Sequence, residues 1–157
     1  MKYFIDRLAS VVPAPYDQHI LLVHNVCLKQ DDIDAAKKVM NNVYWAICPL
    51  SNIFIHNALP PVELMRKNAL AITVGTDSLS SNDDLSMIKE IACIHENFPE
   101  VPMNEIFTWA SLNGARFLSK DCVLGSLATG KRPGIVLVNG LDADGNVTAD
   151  STSERLV

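Results

Sequence analysis

Apolar positions fall in short runs separated by stretches with a helical repeat. Ile20-Leu21-Leu22-Val23 is an almost unbroken apolar run, which suits a strand covered on both faces better than one wetted at alternate positions. The run ends at His24. Asp31 to Asn41 reads as a helix: Asp31 and Asp32 favour its N-terminal dipole, Lys37 and Lys38 its C-terminal one, and Asn41-Asn42 can stop it. Val43 to Cys48 is β-branched and aromatic, a second strand closed by Pro49 because proline cannot donate to an interior ladder. Pro60-Pro61 opens a short helix through Asn68, and Leu70 to Val74 is a third strand, broken by Gly75. Asp83 or Asp84 is expected to cap a longer helix to about His95, with Leu85, Ile88, Ile91 and Ala92 on one face.

Strands alternating with helices at this spacing predict parallel crossover units and an α/β fold. Farther on, Asn104–Leu112 and Ala115–Leu118 read as helical around Asn113-Gly114. Ile135–Val138 reads as a strand, and Asp144-Gly145-Asn146 as a tight turn into Val147-Thr148, a terminal hairpin. Ala149–Val157 is polar and expected to be mobile.

Composition narrows the function classes. The 157 residues carry 13 Lys+Arg against 18 Asp+Glu, a formal net charge of -5, with no basic cluster. Nucleic acid and anionic membrane surfaces both call for concentrated positive charge, so the expected partner is a small molecule or a protein. No apolar run nears the ~20 residues that span a bilayer, and Asp6 and Arg7 interrupt what would be the apolar stretch of a secretory signal. Cys27, Cys48, Cys93 and Cys122 are widely spaced, with no Cys-x-x-Cys pair, so neither a zinc knuckle nor a disulfide framework is indicated. A cytoplasmic location is expected.

In parallel α/β sheets ligands bind beyond the carboxyl ends of the strands. The first run delivers His24-Asn25 there, the second Pro49-Leu50-Ser51-Asn52, and the third Gly75-Thr76-Asp77-Ser78 with Ser81-Asn82 just beyond. An imidazole and a carboxylate on adjacent strand ends can hold a divalent metal or move a proton to and from a water. In an arbitrary protein, however, such a histidine more often bonds loop backbone, and such an aspartate the amides of its own turn. Ser81, Asn82 and Asn52 are likewise more often loop or cap residues than substrate contacts. The residues alone leave both readings open.

Two other patterns are set aside on physical grounds. Gly125–Lys131 has phosphate-loop spacing, but Arg132 replaces the magnesium-binding hydroxyl and no strand precedes it. Asp142-Ala143-Asp144-Gly145 has its glycine too early for a calcium loop and lacks the bidentate glutamate.

Leu22-Val23-His24-Asn25, then Cys48-Pro49-Leu50-Ser51-Asn52, then Gly75–Asn82 through Leu85 and Glu90, resemble successive motifs of the amidohydrolase superfamily. The nearest branch holds the cytosine, guanine and adenosylhomocysteine deaminases and the triazine chlorohydrolases. Asn113-Gly114-Ala115 and Gly125–Val138 are similar to that family's closing segment, and the resemblance runs from about residue 20 to 140. It implies a (β/α)8 TIM barrel in which Asp77 ends the eighth strand, binds the metal and takes a proton from the attacking water. His24 would end the sixth strand, beside the metal and the substrate's leaving group, with Asn52, Ser81 and Asn82 shaping a substrate-binding rim. The implied ion is divalent, zinc or else iron. Cys27 departs from a second histidine that many members carry three positions after the first.

The family's His-x-His motif and its histidine after the fifth strand are absent here, since only His19 precedes His24. A complete barrel needs ~250 residues. The expectation is therefore a truncated chain. Residues 1–120 would be the C-terminal part of a barrel, strands six to eight with their helices, and 121–157 the return strand and hairpin of a small β domain with a polar tail. Three parallel strands cannot close a barrel, so a missing N-terminal half or a homo-oligomer partner must cover the exposed edges. The implied activity is hydrolysis of a carbon–nitrogen or carbon–halogen bond in a small cyclic, amine-bearing substrate through metal-activated water, with no turnover by the chain alone. The alternative is a non-catalytic scaffold derived from such a barrel.

Overall fold

The computed structural model describes residues 2–11 and 15–157. The order of elements is α1 (Lys2–Val11), β1 (Tyr16–Val23), α2 (Gln30–Val39), β2 (Met40–Ile47), α3 (Pro49–His56), α4 (Val62–Lys67) and β3 (Ala71–Val74). Then follow α5 (Met87–Asn97), α6 (Met103–Ala110), α7 (Leu112–Phe117), β4 (Val136–Asn139) and β5 (Thr152–Arg155). The first three strands form one parallel sheet in the order β1-β2-β3. All three finish on the same side, which puts His24, Cys48 and Gly75 on one rim.

The register explains the core. Leu22 pairs with Trp45 and Trp45 with Ile72, so one row of side chains crosses the sheet and points into the helices. Those residues are buried and share a cluster with Ile33, Ile47, Met65, Ile91 and Ile106. The row Val23, Ala46 and Thr73 alternates onto the opposite face, where Val23 is 45% exposed. The first run was expected to be covered on both faces; on this second face Ala46 and Thr73 are buried and Val23 is left exposed. At the start of the strands α7 reaches round to the other face, where Phe117 packs edge-on to Tyr44 and its carbonyl accepts from His19 Nδ1 at 2.6 Å. Asn113 of α7 donates to the Ile72 carbonyl at 2.8 Å, tying the same helix to β3. Within the described residues β1 and β3 are each paired on one side only.

Several local expectations are corrected. Asn41-Asn42 does not stop α2, because the strand starts directly at Met40; both amides sit in β2 and donate to Asp17 of β1. The rim segment after the second strand is a helix, α3, with Pro49 supplying its first turn and left-handed Asn57 ending it. Ser86, not Asp83 or Asp84, caps α5 by accepting from Lys89 N–H, while Asp84 accepts from Ser86 N–H and pairs with Lys89. Leu85 consequently lies outside that helix, 55% exposed. The strand returning to β4 is Thr152–Arg155 rather than Val147-Thr148, so the segment expected to be mobile is half strand. Val147 instead plugs the core, fully buried.

Polar contacts fasten the periphery. Asp32 in the first turn of α2 accepts from its own N-cap residue Lys29 and from Lys2 N–H of α1. Arg66 of α4 grips Glu105 of α6 through two bonds of 3.0 and 2.8 Å. Both side chains are about one-third exposed, so this pair contributes at most ~1 kcal/mol.

Candidate active site

The rim is built from residues with unusual backbones. His24 (φ 71°), Asn25 (φ 58°) and Asp77 (φ 59°) are left-handed, a conformation that L-residues adopt at a cost and that clusters at functional sites. Asn25 stabilises its turn by donating to the carbonyls of Leu22 and Ala46, thereby lashing the ends of β1 and β2 together. These turns aim His24 and Asp77 at each other. His24 Nε2 lies 4.0 Å from Asp77 Oδ2.

Two hydroxyls converge on the same carboxylate oxygen. Ser51 Oγ donates to Asp77 Oδ2 at 2.7 Å and Ser81 Oγ donates to it at 2.8 Å. These bonds, Ser51 first, hold the Asp77 carboxyl below its ordinary pKa, with His24 adding a smaller effect. Asp77 thus contributes stability that is present above the ordinary carboxylate value and is lost as pH falls through the depressed one. Ser51→Ala is expected to raise the Asp77 pKa toward the ordinary value, read from the side-chain carbonyl carbon shift across a pH series. An Asp77 titration unmoved by that change would show that the hydroxyl is not the cause.

A buried carboxylate braces the site from behind. Glu90 is fully buried on α5, accepting from Leu50 N–H at 3.0 Å and from Asn82 Nδ2 at 2.7 Å. The first bond caps the start of α3, where a negative charge also meets the helix dipole. Burial raises the Glu90 pKa despite both bonds, so its ionisation opposes folding and its effect on stability runs opposite in sign to that of Asp77. The same burial, with Glu90 and Asp77 nearby, pushes the Cys48 thiol up to about 11, leaving it an unreactive thiol at neutral pH.

Of the residues singled out from the sequence, His24, Asp77, Asn52 and Ser81 are brought together. Asn52 is fully buried with its Nδ2 3.0 Å from His24 Nδ1. Asn82, next to Ser81, clamps the Thr76 carbonyl of its own loop to Glu90. Ser51 and Glu90 were not singled out as site residues. The signal for Ser51 was its place beside Asn52, and for Glu90 an acid among the buried positions Ile88, Ile91 and Ile94. His56 is the exposed last residue of α3 and lines a small pocket with His24 and Cys27.

As a metal site the donor set fits in part. Asp77 is an ionised carboxylate at a strand end, the kind of oxygen donor that zinc and iron accept. Among the described residues, no group of three or more His, Cys, Asp or Glu is placed to hold an ion.

The profile of the amidohydrolase family matches residues 4–153. The chain belongs to this family. It is 26% identical over 161 residues to a 5'-deoxyadenosine deaminase of Methanobrevibacter smithii, covering 98% of this chain and 35% of that protein. It is 31% identical over 123 residues to a 5-methylthioadenosine/S-adenosylhomocysteine deaminase of Caldanaerobacter subterraneus, covering 74% of this chain and 28% of the relative. Among solved structures, a zinc-bound adenosine deaminase of Xanthomonas campestris superposes with a TM-score of 0.69 at 25% identity, over 83% of this chain and 30% of that one. An amidohydrolase from a Sargasso Sea environmental sample gives 0.70 at 23% identity over 88% and 36%, which speaks for the fold alone. The chain spans about a third of the length of these amidohydrolases. No helix of the described residues is long and apolar enough to cross a membrane.

Proposed function

We propose that this amidohydrolase is the C-terminal part of a metal-dependent deaminase acting on a small cyclic amine, an adenosine derivative in the first instance. Residues 1–120 form strands six to eight of its barrel with their helices, and 121–157 the return into a small β domain. One observation carries the reading: an imidazole and an ionised carboxylate, from the first and third of three parallel strands, meet 4.0 Å apart at the shared carboxyl edge. The deaminase relatives and the zinc-bound structural neighbour support it.

In this reading Asp77 holds the ion and accepts a proton on its carboxylate. Ser51 and Ser81 keep that carboxylate ionised and would hold it in place for the ion. A bound divalent ion supplies water acidic enough to deprotonate near neutrality. His24 stands beside the leaving group, and Asn52, Ser81 and Asn82 shape the wall of the pocket through the bonds described above. The missing ligands, and the strands that would cover β1 and β3, come from a second polypeptide or from a second copy of this chain.

A single corner of a metal site also fits a non-catalytic scaffold, and the same experiment separates the two. The chain is fused to the upstream two-thirds of the Methanobrevibacter deaminase, and zinc content and release of ammonia from 5'-deoxyadenosine are measured for the fusion and for the chain alone. The expected result is zinc and turnover in the fusion and neither in the chain alone. Turnover by the chain alone overturns the claim that it is incomplete; a folded fusion that holds no zinc favours the scaffold.

A further inference from the structure

Both polar ends of the Asn52 side chain are committed. Its Oδ1 accepts the backbone N–H of Cys48 at 3.3 Å. A backbone N–H can only donate, so that end of the amide is the oxygen and the end facing His24 is the NH2 group. The NH2 group lies 3.0 Å from His24 Nδ1. An amide N–H likewise only donates, so Nδ1 presents its lone pair, and in the neutral ring the proton then resides on Nε2. The amide has little freedom to turn over. Asn52 is fully buried, and its own backbone N–H bonds the Cys48 carbonyl at 2.8 Å, so the two residues grip each other across the first turn of α3.

We infer that Asn52 is a positioning residue that holds His24 in its Nε2–H form, making the ring a hydrogen-bond donor toward Asp77 and withholding Nε2 from service as a metal ligand. The 4.0 Å from Nε2 to Asp77 Oδ2 is too long for a direct bond. It suits a bridging group that accepts from Nε2–H and donates to the carboxylate, a water or a substrate amine. What bridges the gap rests on the deaminase reading, but the tautomer does not.

His19 provides an internal control, because its Nδ1 faces the Phe117 carbonyl at 2.6 Å and must donate. The test is a long-range proton–nitrogen spectrum of the whole chain with nitrogen-labelled histidine, which distinguishes the two neutral tautomers and the doubly protonated ring by their nitrogen shifts. The expected pattern is Nε2–H for His24 and Nδ1–H for His19. Asn52→Asp, whose carboxylate can still accept from Cys48 but only accepts from the ring, is expected to convert His24 to Nδ1–H and leave His19 unchanged. Asn52→Ala is expected to give a mixture at His24 alone. Wild-type His24 found as Nδ1–H overturns the inference, and so does a His24 signal identical in wild type and both variants. Should neither variant fold, the wild-type pattern decides. A His24 in the Nε2–H form together with a zinc-free fusion keeps this inference and sinks the deaminase reading.

Discussion

Replacing Trp45 with alanine is expected to lower the unfolding free energy by about 3–5 kcal/mol, the range for deleting a buried aromatic side chain. Trp45 is 1% exposed and sits in the middle strand between Leu22 and Ile72, the pairing row that faces the helices. The cavity cannot collapse, because strands on both sides hold the backbone in place. Against the ~5–15 kcal/mol that separates most folded domains from their unfolded chains, such a loss removes between about a fifth of the stability and all of it. Urea titration checks it as a large fall in midpoint at an unchanged slope. Phe54→Ala is the control: Phe54 is 69% exposed on α3 and its loss is expected to stay within about 0.5 kcal/mol. A Trp45→Ala loss under about 1 kcal/mol would mean that the sheet is not packed on the helices through this row.

Asp77→Asn in the barrel-completing fusion is expected to cut kcat/KM by about 10⁴-fold, the upper end of what a positioned proton acceptor contributes. Asparagine preserves the shape and can still accept from Ser51 and Ser81, so the turn should survive. It lacks the charge that draws a cation and the basicity that takes a proton. Zinc content is expected to fall in parallel. Full activity in Asp77→Asn would remove the carboxylate from the chemistry.

Much of this fold is legible in the sequence because its parallel strands are continuous apolar runs and the helices between them carry end charges that match their dipoles. The runs at 20–23, 43–48 and 70–74 each fall on a sheet strand but for Cys48 and Leu70 at their ends, and the three strands finish on one side. The errors have physical causes. A run that is apolar at every position does not reveal how fully each face is covered, and here Val23 at the end of its row is left exposed while Ala46 and Thr73 beside it are buried. Asn41 and Asn42 are poor strand residues by propensity, yet tertiary bonds to Asp17 hold them in β2. Proline after a strand signals a stop, and also the first turn of a helix, so Pro49 marks the end of β2 without announcing α3. Thr152–Arg155 carries no apolar alternation because it is exposed along its length, and pairing with β4 alone makes it a strand.

At the rim, residue types on the strand ends pointed to His24, Asp77, Asn52 and Ser81, but not to the directions of their bonds. Asn82 bonds both the Thr76 carbonyl and Glu90, a double contact its residue type does not announce. Glu90 lies in a helix whose apolar face hides it, and only the structure shows its carboxylate meeting the start of α3.

The rows of backbone donors and acceptors along the outer sides of β1 and β3 have a practical meaning for this chain made by itself. A strand-shaped segment of any other polypeptide could zip onto the open side of β1, whereas Asn113 already holds the Ile72 carbonyl of β3, so solubility of the free chain depends most on what occupies the β1 side soon after synthesis. A chaperone or a matching protein would do so productively, and another unfinished copy would begin an aggregate.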